Sequence, residues 1–290
     1  MKIFVLPNLD KQNCKEYTTD ACVLLNKCKA ELFMSKKYNQ PFKELTFINF
    51  VDNSKASDCD VIVVIGGDGT ILECANFSSV FHKPILGINC GHLGFMASLE
   101  YDELDKLSKL CRGEYTVSRR MMLSMTIEPF QKDTMHFTAL NDVVISKCDD
   151  CKIADFRVYK NKSTIASIRA DGIILSTPTG ATAYSMSAGG PIIEPEMECI
   201  EFTQICPHTM FSRSVVLSPD SVVTVKTSTA KDSQACVLVD GNIVYKLSNK
   251  DVVTVSKSDL HTDIIDINGN SFFSSVNDKL MHPLKDITED

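Results

Sequence analysis

The sequence predicts an α/β N-terminal domain on a doubly wound parallel sheet, followed by a mainly β C-terminal domain. Three observations carry this. Residues 1–115 alternate apolar strand-like runs with helical stretches, the rhythm of a βαβ sheet. One of those runs, "DVIVVI", is continuously apolar, as a strand buried on both faces must be. From about residue 116 to 265 the texture becomes short β-rich runs separated at intervals by turn residues.

Taken in order, "KIFVL" reads as a strand, Cys14 to Lys37 as a helix and "TFINFV" as a strand. "DVIVVI" and "PILGIN" are the next strands, with a helix from Thr70 to about Val80 between them and another over Tyr101–Cys111. The second domain is expected to use "MMLSMTI", "HFTALNDVVI", "DFRVYK", "STIASIRA", "GIILS", "VVLSP", "SVVTVKT", "ACVLVDG", "NIVYKL" and "DVVTVS". Residues 266–290 form a last segment, in which "SFFSSVNDKLMH" sets Phe272, Phe273, Val276, Leu280 and Met281 on one helical face, expected to return to the first domain. Met121, Met122 and Met125 read as core filling.

A chain of 290 residues with 44% hydrophobic and 23% charged residues has the composition of a globular protein. The net charge of −7 argues against a general nucleic-acid binder, which needs a basic footprint. No window reaches the length of a membrane span, and the opening "MKIFVLPNLDKQNC" is too poorly apolar for a secretory signal. A cytoplasmic protein is therefore expected, with its twelve cysteines kept as thiols. Cys148 and Cys151 form the one C-x-x-C, without a second pair at zinc spacing.

The strongest local signal is "DVIVVIGGDGTILECAN". A strand ends at Ile65, Gly66 and Gly67 make a sharp turn, and a helix begins near Thr70, whose hydroxyl can cap it. Free N–H groups and a positive helix end then face the carboxyl edge of the sheet, a position suited to phosphate. The turn is neither a P-loop, since no lysine lies in it, nor G-x-G-x-x-G, since Leu72 replaces the third glycine. Asp68 is the unusual member. A carboxylate among phosphate-binding amides is repulsive unless a metal intervenes or the carboxylate accepts a proton, and both cases point to phosphoryl transfer. The plain alternative is a tight βα turn in which Asp68 is only a helix N-terminal charge. "GINCGHLGF" is a second glycine-rich turn after the next strand, where His92 could meet phosphate.

"DGIILSTPTGATAYSMSAGGPII", Asp171 to Ile193, passes from an apolar strand into small and hydroxylic residues. Ser176 ends the strand, Thr177 can cap, Pro178 suits a first helical position, and the helix that follows places Thr182 and Met186 on one face. Hydroxyls and free N–H groups suit ribose and pyrophosphate, while Gly189 and Gly190 permit close approach. Helix-to-sheet packing through small residues is the alternative. Asn141 and Asp142 offer donor and acceptor together, Tyr184 is a stacking surface, and His208 reads as loop ordering.

Together these segments make the chain resemble the NAD kinases from Val61 to Val244. "GGDGT" is shared with diacylglycerol, sphingosine and phosphofructokinases. "NCGHLGF", "ALNDVVI", the long Asp171–Ile193 motif, "ICPH" and "DGN" follow in the family's order. The resemblance implies transfer of the γ-phosphate of ATP, or of another phosphoryl donor, to the 2′-hydroxyl of the adenosine ribose of NAD, with a divalent cation such as Mg2+. It implies Asp68 as the base and Gly66, Gly67, Gly69, Thr70 and His92 around the donor phosphates. It places NAD against Asp68, Gly69, Leu72, Phe95, Asn141, Asp142, Lys152, Arg169 and Asp171. Thr182, Ala183, Tyr184, Ser185, Met186, Ser187 and Asn242 complete that set. A homo-oligomer, dimer or tetramer, is also implied. The chain departs from the family at Ala181, where Ser is usual, and at Arg213-Ser214, where Arg-Pro is usual. A lipid or sugar kinase sharing only the glycine turn, and a non-catalytic NAD(P) sensor, are the competing readings.

Overall fold

The computed structural model describes residues 1–91, 94–148, 153–209, 212–229, 234–269, 272–273 and 276–277. The chain divides into two compact units, Met1–Arg119 with the chain from Thr262 on, and Arg120–His261.

In the first unit the strands are β1 (Lys2–Pro7), β2 (Glu31–Ser35), β3 (Ile48–Val51), β4 (Val61–Gly66) and β5 (Ile85–Asn89). They pair in parallel in the order β5-β4-β1-β2-β3. Every residue of β4 is buried because it lies between two strands under covered faces, which is what its unbroken apolar run demands. Helices α1 (Cys14–Lys27), α2 (Asp68–Phe81) and α3 (Leu107–Arg112) complete the unit. From β1 the chain steps outward through β2 and β3, then returns to the other side of β1 as β4. The winding thus reverses between β1 and β4, where open α/β sheets leave a crevice at the strands' carboxyl ends.

The helix expected over Cys14–Lys37 stops at Lys27 and gives way to β2. Lys29 takes a left-handed φ of 61°, and the N–H groups of Lys29 and Ala30 turn back to the carbonyls of Asn26 and Leu25. This closing motif usually carries glycine. With lysine there, the sequence offers no stop signal. The Tyr101–Cys111 stretch is a 3-10 turn, Tyr101–Lys106, running into α3.

The second unit has two antiparallel sheets. β6 (Thr116–Glu128) enters it and pairs with β7 (Met135–Ala139). β8 (Asp142–Lys147), β9 (Ala154–Lys160), β10 (Ser163–Ala170), β11 (Gly172–Ser176), α4 (Tyr184–Ser187), β12 (Ile200–Ile205), β13 (Val215–Leu217), β14 (Val223–Ser228), β15 (Ala235–Val239), β16 (Asn242–Leu247) and β17 (Val252–Asp266) follow. One sheet runs β10-β9-β14-β17 and the other β13-β12-β11-β8-β15-β16. β9 alternates buried and exposed residues, whereas all of β11 is buried. The difference lies in what covers the outer face. Val144, Ile174 and Ile205, turned away from the main core of Phe156, Leu175 and Phe202, meet Ala188 of the small-residue segment.

Three expectations change here. "HFTALNDVVI" is two strands, because the chain breaks at Leu140-Asn141. β12, "IEFTQI", is not among the expected strands although Ile200, Glu201, Phe202 and Thr203 alternate, and its polar members are buried too because both its faces are covered. Cys148 forms a disulfide with Cys236, against the expectation of free thiols, while nine further cysteines are free among the described residues. Antiparallel pairing of β8 with β15 brings their Cα atoms to 5.6 Å across 88 residues of sequence, a proximity that spacing cannot reveal. Cys151 lies outside the described residues, as do Leu280 and Met281 of the expected C-terminal helix.

Candidate active site

In the first unit β4 delivers Gly66 and Gly67 to the carboxyl edge of the sheet, and α2 begins at Asp68 with Gly67 as its N-cap. Thr70 is therefore inside the first turn rather than the cap. Its hydroxyl accepts the amide of Asn8 at 2.9 Å, and a Cβ on Gly66 would lie 2.4 Å from that hydroxyl oxygen. Gly66 is glycine so that Thr70 can fold back. Among the described residues a Cβ on Gly69 would meet nothing within 4 Å, so their packing does not require a glycine there.

Asp68 is held by the second glycine turn. Its Oδ2 accepts the N–H of Phe95 at 2.6 Å and its Oδ1 the N–H of Met96 at 3.1 Å. A Cβ on Gly94 would lie 1.9 Å from Oδ1, so this glycine makes room for the carboxylate. Both oxygens keep a lone pair for a further donor. The two glycine-rich turns are therefore joined through one side chain. Sequence reasoning missed Lys11, from the loop after β1. Its ammonium lies 2.3 Å from where a Cβ on Gly67 would be, so a cation stands beside a turn whose own sequence has none. Leu72 and Phe95 are half-buried nearby in sequence, and His92 lies outside the described residues.

In the second unit Asn141 precedes β8 and Asp142 opens it, beside the hairpin turn Asp240-Gly241, where φ is 47° and 81°, the left-handed pair a two-residue turn needs. The Asp240 carboxylate accepts the N–H groups of Leu140, Asn141 and Asp142 at 2.9, 2.7 and 3.1 Å. The Asn141 carbonyl accepts the N–H of Thr177 at 2.8 Å. Thr177 in turn donates its hydroxyl to Leu140 O at 2.6 Å and accepts the N–H of Gly180 at 3.1 Å. The Asn141 side-chain oxygen is buried and, among the described residues, has no hydrogen-bond partner, as is the Thr179 hydroxyl. Such orphans are costly unless something binds them.

Burial raises the Asp142 carboxyl from 3.8 to about 7, with the Asp240 charge adding to it. Asp240 is raised by burial as well, opposed by its three backbone donors. An acid raised on folding binds its proton more tightly in the native state, so its contribution makes stability fall as pH rises from about 4 to about 7 and then level off. In unfolding curves at about pH 5.5 and 8.5, Asp142→Asn is expected to show a smaller drop in Tm than the wild type. Equal drops would remove Asp142 from this account.

The segment after β11 is not one helix. A 3-10 turn, Gly180–Thr182, is broken from α4 at Ala183, whose ψ of −124° is not helical. Thr182 and Met186 therefore do not share a helical face as expected. Thr182 and Ser185 are buried, Ala183 and Met186 half-buried, and Ser187 exposed. Tyr184 is 47% exposed, its ring available for stacking. Ser185 donates to Glu201, buried in β12, at 2.8 Å, and Thr203 does the same at 2.8 Å. A Cβ on Gly190 would lie 2.2 Å from Glu201 Oε1, so this glycine's close approach is to the protein itself. Glu201 was missed, although an acid flanked by Ile200 and Phe202 was visible in "IEFTQI".

Other predicted residues sit in ion pairs. Arg169 pairs with Asp155 at 2.8 Å and Asp171 with Lys147 at 2.8 Å. Asn242 is exposed, its amide 3.4 Å from Asp240 O. The N–H of His208 donates to Arg169 O at 2.7 Å, which ties down its loop. Lys152 lies outside the described residues.

Residues 6–115 match the ATP-NAD kinase N-terminal domain and residues 140–267 the ATP-NAD kinase C-terminal domain. The chain is 37% identical over 286 residues to an NAD kinase of Thermoanaerobacter sp. (strain X514), covering 96% of this chain and 98% of that one. It is 35% identical over 285 residues to an NAD kinase of Acetivibrio thermocellus, covering 97% of each. Its fold matches yeast NADH kinase complexed with NADH at a TM-score of 0.87 and 20% identity, over 100% of this chain and 90% of the other. It also matches an Archaeoglobus fulgidus NAD kinase in complex with ATP at 0.72 and 22%, over 97% and 99%. With both domains matched and near full-length identity above a third, the chain belongs to the NAD kinase family.

Proposed function

We propose that this chain transfers the γ-phosphate of ATP to the 2′-hydroxyl of the adenosine ribose of NAD, giving NADP. The observation that supports it most is the Asp68 carboxylate, held by two backbone donors beside Gly69, a glycine that no contact among the described residues explains. A general base needs to be fixed and yet free to accept one more proton, and this arrangement does both. As the hydroxyl attacks phosphorus, its proton passes to Asp68 and the bond to the departing ADP breaks. Lys11, Gly66, Gly67, Gly69 and Thr70 surround the donor phosphates, with His92 carried over from the family pattern. The adenosine half of NAD lies against Asn141 and Asp142, whose orphaned amide oxygen takes a donor from it. The family pattern carries further NAD contacts over to Leu72, Phe95, Lys152, Arg169, Asp171, the Thr182–Ser187 segment and Asn242.

No cluster of three metal-ligating side chains occurs among the described residues. Mg2+ fits a site of this kind as a companion of the triphosphate, keeping its waters and neutralising charge. The reading also carries a cytoplasmic location and a homo-oligomer. No helix among the described residues is long and apolar enough to cross a membrane.

Purified protein given NAD, ATP and magnesium is expected to make NADP, measured by a coupled dehydrogenase assay. A donor and acceptor panel decides against this reading if diacylglycerol or a sugar is phosphorylated while NAD is untouched. Tight NADPH binding with no transfer from any donor would instead make the chain a sensor.

A further inference from the structure

Two thiols meet in the first unit at the end of β4, and the transfer proposed above uses neither. Cys14 opens α1 and Cys90 follows β5. The Cys90 thiol donates to Cys14 Sγ, with the two sulfurs 3.2 Å apart. Each cysteine is also tied to the last residues of β4. The Cys14 thiol donates to Ile65 O at 3.1 Å, and the backbone N–H of Cys90 donates to Gly66 O at 2.8 Å. From this geometry we infer that Cys14 and Cys90 are an oxidation site, at which a small hydroperoxide closes a disulfide against the turn that carries Asp68.

The surroundings give the two sulfurs different tasks. Burial by itself makes a thiol inert, and it pushes Cys22 and Cys74 up to about 12. Cys14 is as buried as Cys22, yet the hydrogen bond from Cys90 outweighs burial, and the Asn8 backbone and the Lys11 charge add to it, so Cys14 lies below the usual thiol range. Cys90 is raised by that same bond and by burial. A low-lying thiol beside a second, resolving thiol is the arrangement that oxidises reversibly. Cys14 is fully buried and Cys90 only 6% exposed, which favours an oxidant little larger than water.

The Cys14 thiolate attacks one oxygen of hydrogen peroxide. The O–O bond breaks, Cys14 becomes a sulfenic acid, and the hydroxide released takes up the former thiol proton as water. The Cys90 sulfur then attacks the sulfenic sulfur, the S–S bond forms as the S–O bond breaks, and the Cys90 proton leaves with that oxygen as a second water. The two thiols give up two electrons and two hydrogens in all, and the peroxide is reduced to two waters.

Closure draws the sulfurs from 3.2 Å to about 2 Å and takes the Cys14 hydrogen away from Ile65 O. The Cys14 N–H donates to Lys11 O at 3.4 Å, so movement at Cys14 reaches the residue whose ammonium stands beside Gly67. On the other side Cys90 leads into the segment whose Phe95 and Met96 N–H groups hold Asp68. Slowed phosphoryl transfer by the oxidised form rests on the Proposed function reading, whereas closure of the bond does not.

The test treats the full chain with hydrogen peroxide, maps its non-reduced peptides by mass spectrometry and assays NADP formation from NAD and ATP. A Cys14–Cys90 link is expected, with a rate loss of about 10- to 100-fold, the scale on which misplacement by about 1 Å acts. Dithiothreitol is expected to reverse both. Cys14→Ser and Cys90→Ala, checked by a thermal melt, are expected to keep the basal rate and to resist the same dose. The exposed thiols of Cys28 and Cys206 are the competing targets. Oxidation confined to those two, or an equal loss of rate in both folded variants, overturns the site. A Cys14–Cys90 link formed with full activity overturns its hold on the turn. If a variant fails the melt, the wild-type map and its reversal decide. A protein that makes no NADP before treatment overturns the kinase reading alone, because the link is read by mass.

Discussion

Asp68→Asn is expected to lower kcat by about 10² to 10⁴, the range a positioned general base contributes. NAD binding, measured by calorimetry, is expected to persist. Two backbone donors fix the group, at 2.6 Å from Phe95 and 3.1 Å from Met96. The amide keeps the carboxylate's shape, and its oxygen can serve the shorter bond. Its NH2 then faces the Met96 N–H, a lost bond costing about 1 kcal/mol, too little to explain a rate loss of that size. Kinetics and a melt on one preparation separate the two effects. Normal turnover in the folded variant would make Asp68 a structural tie between the two turns, the plain alternative left open by the sequence.

The second large effect is expected at Gly180. An alanine Cβ there would lie 2.3 Å from the Asn141 carbonyl oxygen and 2.6 Å from its carbon, and backbone cannot swing aside as a side-chain tip does. Asn141 O is already committed to the N–H of Thr177, so relief of the clash must move the residue whose side chain is proposed to meet NAD. Gly180→Ala is expected to cost about 1–3 kcal/mol of stability, as overpacking does. KM for NAD should rise about tenfold or more, since each 1.4 kcal/mol of lost binding is a factor of ten. Gly69→Ala is the contrast. Among the described residues nothing lies within 4 Å of its Cβ, so the melt should not move while activity falls. If Gly180→Ala kept wild-type stability and KM, the tight junction between Asn141 and the small-residue segment would not matter to the site.

The site was legible in proportion to how local its causes are. Gly66, Gly67 and Asp68 could be placed at a strand end because a buried parallel strand is continuously apolar and the turn that follows needs glycine. The hydroxylic run after β11 announced itself by composition, yet its path did not. Ala183 breaks the helix through a backbone angle that no residue type there signals. Glu201 was visible as a letter, but its bonds to Ser185 and Thr203 come from strand pairing and packing. Lys11 was invisible as a site residue because the loop after β1 meets the β4 turn only once the sheet has formed.

Sequence alone determined the two kinds of domain, the glycine turns, the acid set among them and the order of family motifs, because periodicity, turn chemistry and motif spacing are properties of neighbours along the chain. Tertiary structure alone decided which groups meet. It put backbone N–H groups of Phe95 and Met96 on Asp68, left the Asn141 side-chain oxygen without a partner among the described residues, raised Asp142 to about 7 and joined Cys148 to Cys236. Each of these depends on burial or on contacts between residues distant in sequence, and both arise only when strands pair and pack.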